Sequence, residues 1–177
     1  HERGILMVNK NRADKLLQRV RSLLEEDKDL RGYGLNADVV EGEIQLQGIV
    51  DTLMEKERAE AIVQQIPGVK GVANAVSIST DGSITDKDVI MEVNEELGIA
   101  PAVDMRHIGA IATGGDGTVV LKGTTDDPAE IEAAREAASK ARGVTRVVSQ
   151  VRLGAEEPSL EDLFHSQVNN DVEEQPY

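Results

Sequence analysis

A chain of 177 residues with 33 acidic side chains, 19 basic ones, no cysteine and three aromatic residues excludes several classes at once. Disulfides and thiolate zinc centres are unavailable, and Tyr33, Phe164 and Tyr177 cannot form a stacking platform for single-stranded nucleic acid. The net charge of −14 sets up a field that repels phosphate backbones, so nucleic acid is not an expected partner.

In chain order, residues 1–10 come first. No apolar run approaches the ~20 residues of a membrane span. Ile5-Leu6-Met7-Val8 is too short even for a signal-peptide core, so residues 1–10 are expected to be a flexible segment, with that run a short strand or a flap. A chain starting at His1 reads as a processed form or a fragment, which leaves the compartment open. From Asn11 the apolar stripe Leu16, Leu17, Val20, Leu23, Leu24 predicts a helix, with Arg12, Lys15 and Arg19 together on another face. The glycines at 32 and 34 break it, and strands follow at 35–40 and 43–50, turned by Glu41-Gly42. In the second strand Ile44, Leu46, Gly48 and Val50 alternate with Glu43, Gln45, Gln47 and Ile49, the period of a strand with one buried face.

Thr52 followed by Glu55 reads as a capping box opening a helix over 53–65. Ala59, Ile62, Val63 and Ile66 form its apolar face, and Pro67-Gly68 stops it before a closing strand at 69–78. The same grammar then returns. Gly42, Gly48, Thr52, Glu55, Gly68, Val69, Val72 and Val76 answer to Gly117, Gly123, Asp127, Glu130, Gly143, Val144, Val147 and Val151, each 75 residues on. Thr85 and Asp88 open the second copy's first helix, with the stripe Val89, Ile90, Val93, Leu97. Asp127, Pro128 and Glu130 open its other helix, whose sheet face is Ala134, Ala137, Ala138 and Ala141. The chain therefore divides into a flexible segment 1–10, a domain 11–79, a linker 80–84, a domain 85–153 and an acidic, disordered tail 154–177. The predicted class is α+β, with two tandem αββαβ domains.

Glycine is expected to serve packing and turns at Gly48, Gly68, Gly123 and Gly143; at Gly48 and Gly123 a missing side chain would let helix and sheet approach closely. Charge is uneven: residues 1–79 carry 11 basic and 13 acidic side chains, residues 80–153 carry 8 and 13, and residues 154–177 carry none and 7. Within the tail, Leu160, Leu163 and Phe164 are spaced as one amphipathic turn and form a candidate docking element for a partner.

No catalytic constellation emerges. His107 has Asp104 and Arg106 beside it but no second histidine or cysteine, so it reads as a surface residue. Ser139 and Ser149 lack a nucleophile elbow. Gly114-Gly115-Asp116-Gly117 feeds a strand rather than a helix, making it a hairpin turn and not a phosphate loop, and Asp116, Asp126 and Asp127 do not follow calcium-loop spacing.

This succession of helix, hairpin with a glycine in its second strand, capped helix, Gly-Val turn and Val-rich strand resembles the BON domain family, named for bacterial osmotically inducible and nodulation proteins. The likeness is carried in the first copy by residues 14–24, 42–50, 59–66 and Pro67-Gly68-Val69-Lys70-Gly71-Val72, and in the second by 88–97, 116–124, 134–141 and Arg142-Gly143-Val144-Thr145-Arg146-Val147. Arg142 stands where the family usually has proline. The resemblance implies, in each domain, a three-stranded mixed sheet with two helices on one face. It also implies a non-enzymatic, cofactor-free role in the bacterial envelope, periplasmic or envelope-associated, osmotic-stress protective, and engaging phospholipid or envelope proteins. A soluble protein–protein adaptor and a small-ligand or cation sensor are the alternatives.

Under that reading Arg12, Lys15 and Arg19 are the candidate lipid contacts. Each surface cation adds ~1 kcal/mol, so three give only ~3 kcal/mol, near millimolar attraction. An inserted apolar side chain would be needed as well, and no aromatic residue stands there to serve. The matching helix of the second copy carries Asp86, Asp88, Glu92, Glu95 and Glu96 and would be repelled, so the first copy is the one expected to meet a membrane.

Overall fold

A computed structural model describes residues 2–80 and 84–154. Helix α1 (Glu2–Glu26) leads through a 3-10 turn at Arg31–Tyr33 to strands β1 (Asn36–Val40) and β2 (Glu43–Val50), then helix α2 (Leu53–Gln64) and strand β3 (Gly71–Ile78). The second copy repeats this as α3 (Asp86–Ile99), β4 (Ile108–Ala112), β5 (Thr118–Thr125), α4 (Pro128–Ser139) and β6 (Arg146–Leu153). Each copy has its own mixed sheet, ordered β1-β2-β3 and β4-β5-β6, with the hairpin pair antiparallel and the outer pair parallel. The α+β reading with two tandem αββαβ units is what the molecule shows.

Alternation in β2 and β5 decides which face the helices cover. Ile44, Leu46 and Val50 are buried in the first copy, and Val119 and Leu121 in the second. Val20, Leu24, Ala59 and Val63 close the first core from the helix side, while Val93, Leu97, Ala134 and Ala138 close the second. The two cores meet at Leu53, at the start of α2, which packs into the second copy's cluster and is only 6% exposed, and at Ile78, which packs against both.

Three local readings need correction. α1 begins at Glu2, so the segment 1–10, expected to be flexible, is helical from its second residue. Its one poor helix former is Gly4, and the apolar run joins the helix that Leu16 to Leu24 anchor in the core.

The second correction concerns the helix caps. Thr85 and Asp88 do form a reciprocal box, with Asp88 N–H donating to Thr85 Oγ1 at 3.2 Å. Asp127 caps α4 by accepting from Ala129 N–H at 2.9 Å. At α2, however, Thr52 makes no side-chain cap. Its glutamate is engaged elsewhere: the Tyr33 hydroxyl lies 3.0 Å from Glu55 Oε1 and 2.9 Å from Asp51 Oδ2, donating to one at a time. Burial, then the neighbouring Asp51 and Glu55 carboxylates, push the Tyr33 hydroxyl up from its ordinary value.

Thirdly, Gly48 and Gly123 do not serve helix–sheet approach. They adopt φ of +142° and +137°, and each faces the chain entering the hairpin. A β-carbon at Gly48 would meet Leu35 Cδ2 at 2.6 Å, and one at Gly123 would collide with the His107 carbonyl oxygen. The glycine leaves room for the backbone of the neighbouring strand.

Candidate functional site

A cleft of about 1040 Å³ lies in the first copy between α1 and the two turns at one end of the sheet. α1 supplies Lys10, Arg12, Lys15, Leu16 and Arg19; the hairpin turn supplies Val39, Glu41 and Gly42; the α2–β3 turn supplies Ile66, Pro67, Gly68 and Lys70. The turns are tied together, since Lys70 N–H donates to the Gly42 carbonyl at 3.0 Å and the Lys70 side chain lies over Gly42. Gly42 and Gly68 adopt φ of +85° and +96°, which bend the two turns back toward the helix.

The three sequence candidates Arg12, Lys15 and Arg19 are therefore brought together on one wall, and the fold adds Lys10 and Lys70. All five are exposed, and none of their side chains forms an ion pair or hydrogen bond with another described residue. Glu41 is the only acid lining the cleft, beneath which Leu16, Val39 and Ile66 are partly or fully buried. Exposed cations around an apolar floor give the cleft a positive local potential above a nonpolar surface.

The helical start of α1 extends this wall. Ile5, Val8, Arg12, Lys15 and Arg19 fall at spacings of three and four residues, so they form one line along a helix ~37 Å long, apolar at one end and basic at the other. Ile5 is 61% exposed and Val8 50%. Two exposed aliphatic side chains thus continue the line of the basic face. Its signal, the 5-8-12-15-19 spacing, was present in the chain but obscured by treating residues 1–10 as separate.

Among the described residues the second copy does not repeat this basic cleft. The place corresponding to the cleft holds a hollow of about 290 Å³ lined by Ile84, Asp88, Met91, Glu92 and Arg142. A β-carbon at Gly143 would meet Ile84 Cγ2 at 3.1 Å and Val89 Cγ2 at 3.2 Å, whereas one at Gly68 would meet only Leu16 Cδ1 at 3.8 Å. In place of Lys70 stands Thr145, whose N–H makes the equivalent bond to the Gly117 carbonyl at 2.9 Å. The scaffold is repeated; the open basic cleft is not.

His107 is more than a surface residue. Its Nδ1 lies 3.0 Å from Glu130 Oε1, and the buried Glu130 also accepts from Asp104 N–H at 2.6 Å and from the Thr125 hydroxyl. The Thr125 bond, then those from Asp104 and His107, hold the Glu130 carboxyl below its ordinary value against the opposing effect of burial. The cluster ties the start of α4 to the loop before β4, and its hydroxyl is committed to the carboxylate. Glu130 and Glu55 occupy equivalent positions and hold equivalent loops with different partners. Asp116 accepts from Thr118 N–H at 3.0 Å in the hairpin turn, and among the described residues no group of three or more His, Asp or Glu could hold a metal ion. Leu160, Leu163 and Phe164 lie outside the described residues.

The model of the BON domain family matches the chain twice, over residues 13–80 and 85–155. Osmotically-inducible protein Y of Escherichia coli (strain K12) is 23% identical over 140 residues, covering 76% of this chain and 69% of that protein. An uncharacterized protein in the gshII 5′ region of Anaplasma centrale is 28% identical over 141 residues, covering 74% of this chain and 91% of that one. Among solved structures, CdsD, a structural protein of the type III secretion system of Chlamydia trachomatis, aligns at 16% identity with a TM-score of 0.34, covering 87% of this chain and 68% of that chain. Overlap that weak carries no argument.

Proposed function

The chain belongs to the BON domain family, with two tandem copies, and from that premise we propose that it is a non-enzymatic, envelope-associated stress-protective module whose first copy docks on anionic phospholipid. The observation that carries this reading is the line of exposed Ile5 and Val8 followed by Arg12, Lys15 and Arg19, with Lys10 and Lys70 around the same cleft. Five surface cations at ~1 kcal/mol each give ~5 kcal/mol, corresponding to weak, sub-millimolar attraction. Seating two aliphatic side chains at ~1.5 kcal/mol or more each brings the total to ~8 kcal/mol, in the micromolar range. Neither component suffices alone. The likeness to an osmotically inducible protein supports the stress-related setting.

The test is co-sedimentation of the full chain with vesicles of phosphatidylglycerol and phosphatidylcholine against phosphatidylcholine alone, at low and high salt. Pelleting with the anionic vesicles that falls with salt, with R12E/K15E/R19E, and with I5S/V8S is expected. No pelleting at low salt would remove the membrane reading. Ligand-dependent melting shifts without vesicle binding would favour the sensor alternative instead.

A further inference from the structure

We propose that the acidic segment 155–177 of this chain occupies the basic cleft of the first copy and competes there with an anionic surface. This rests on the reading of that cleft as the docking site. The segment carries 7 acidic residues and no basic one, while the cleft presents five cations without described partners. Its apolar residues Leu160, Leu163 and Phe164 are spaced to share one face of a helical turn, the same combination of aliphatic surface and negative charge that Leu16, Val39, Ile66 and the surrounding cations would accept.

The second copy cannot be the receptor, because its corresponding hollow is smaller and carries Asp88 and Glu92. The 23 residues from 155 to 177 extend to ~76 Å at full stretch, more than twice the ~30 Å diameter of a domain of this size. Tethering also raises the effective concentration of the segment at the cleft toward the millimolar range, so a weak contact is populated.

Because the chain contains no cysteine, S166C carries a single nitroxide label in otherwise intact protein. Broadening of the backbone amides of Arg12, Lys15, Arg19 and Lys70, independent of protein concentration, is expected. Broadening that grows with concentration, or none, would overturn the intramolecular contact. In the vesicle assay, L160S/L163S/F164S leaves the charge unchanged, so a gain of about tenfold reports release of the cleft rather than relief of general repulsion. Replacing the tail acids by amides should give at least as large a gain. Equal vesicle binding by all tail variants, with no amide broadening, sinks the tail contact and leaves the lipid reading standing. Amide broadening without any vesicle binding does the reverse.

Discussion

Gly123 faces His107 across the β4–β5 hairpin so closely that any β-carbon would strike the histidine carbonyl oxygen, which itself accepts a hydrogen bond from Thr124 N–H at 3.0 Å. In the first copy the corresponding obstacle is the end of the Leu35 side chain, which can rotate away. Gly123→Ala and Gly48→Ala should each lose about 1–3 kcal/mol from the positive φ alone. Gly123→Ala should lose more, because a backbone atom cannot yield. Urea unfolding of the two variants, followed by copy-specific amide signals, checks the order; an equal or larger loss for Gly48→Ala would contradict it.

Glu41 is the only residue other than glycine with positive φ among those described, at +53°, and with Gly42 it forms a two-residue hairpin loop between the paired Val40 and Glu43. Asparagine tolerates that conformation better than glutamate. Glu41→Asn is therefore expected to raise stability by roughly 0.5–1 kcal/mol. It also removes the one acid on the rim of the cleft, so anionic-vesicle binding should strengthen in the same protein. Thermal melting and co-sedimentation read the two effects separately.

The two N-caps should respond differently. Asp127→Ala removes a cap that accepts from Ala129 N–H and should cost about 1 kcal/mol. Thr52 Oγ1 is buried without a hydrogen-bond partner, so Thr52→Val, which keeps the shape and removes the hydroxyl, should leave stability unchanged or raise it. A loss at Thr52 matching that at Asp127 would show that the threonine caps α2 in solution.

Leu53 belongs to the first copy in sequence and to the second copy's core in space. Leu53→Ala should lower the stability of the second copy by about 2 kcal/mol or more. Hydrogen exchange of the β5 amides is the readout, and protection that falls only in β2 and β3 would contradict the packing described.

Glu130 supplies the pH dependence. Its carboxyl is depressed in the folded state, so the stability it contributes is present above the ordinary glutamate value of 4.5 and is lost as the pH falls through the lower folded value. The melting temperature of the wild type should drop below about pH 4.5, whereas Glu130→Gln should begin lower at neutral pH and show a shallower acid decline. Parallel profiles would mean that other carboxylates dominate.

How much of this was legible from residues varied with the range of the interaction. The glycines repeating at a fixed interval, the strand alternation from Ile44 to Val50 and the box at Thr85 and Asp88 are relations between near neighbours, and they yielded the duplicated αββαβ order and the family. The start of α1 was misplaced because Ile5 to Val8 has no core to point to, leaving only its spacing with Arg12 as a signal. Thr52 and Glu55 had the right spacing for a cap. Tyr33, distant in the chain, took the glutamate instead.

The chain alone determined the repeated elements and the basic face of α1, because helical and strand periods are written in residues a few places apart. Only the tertiary structure decided that Lys70 and the hairpin turn complete a cleft on that face, and that Ile84 and Val89 crowd its counterpart. The positions of those groups depend on which turns the folded sheet brings against each helix, and no local period records that.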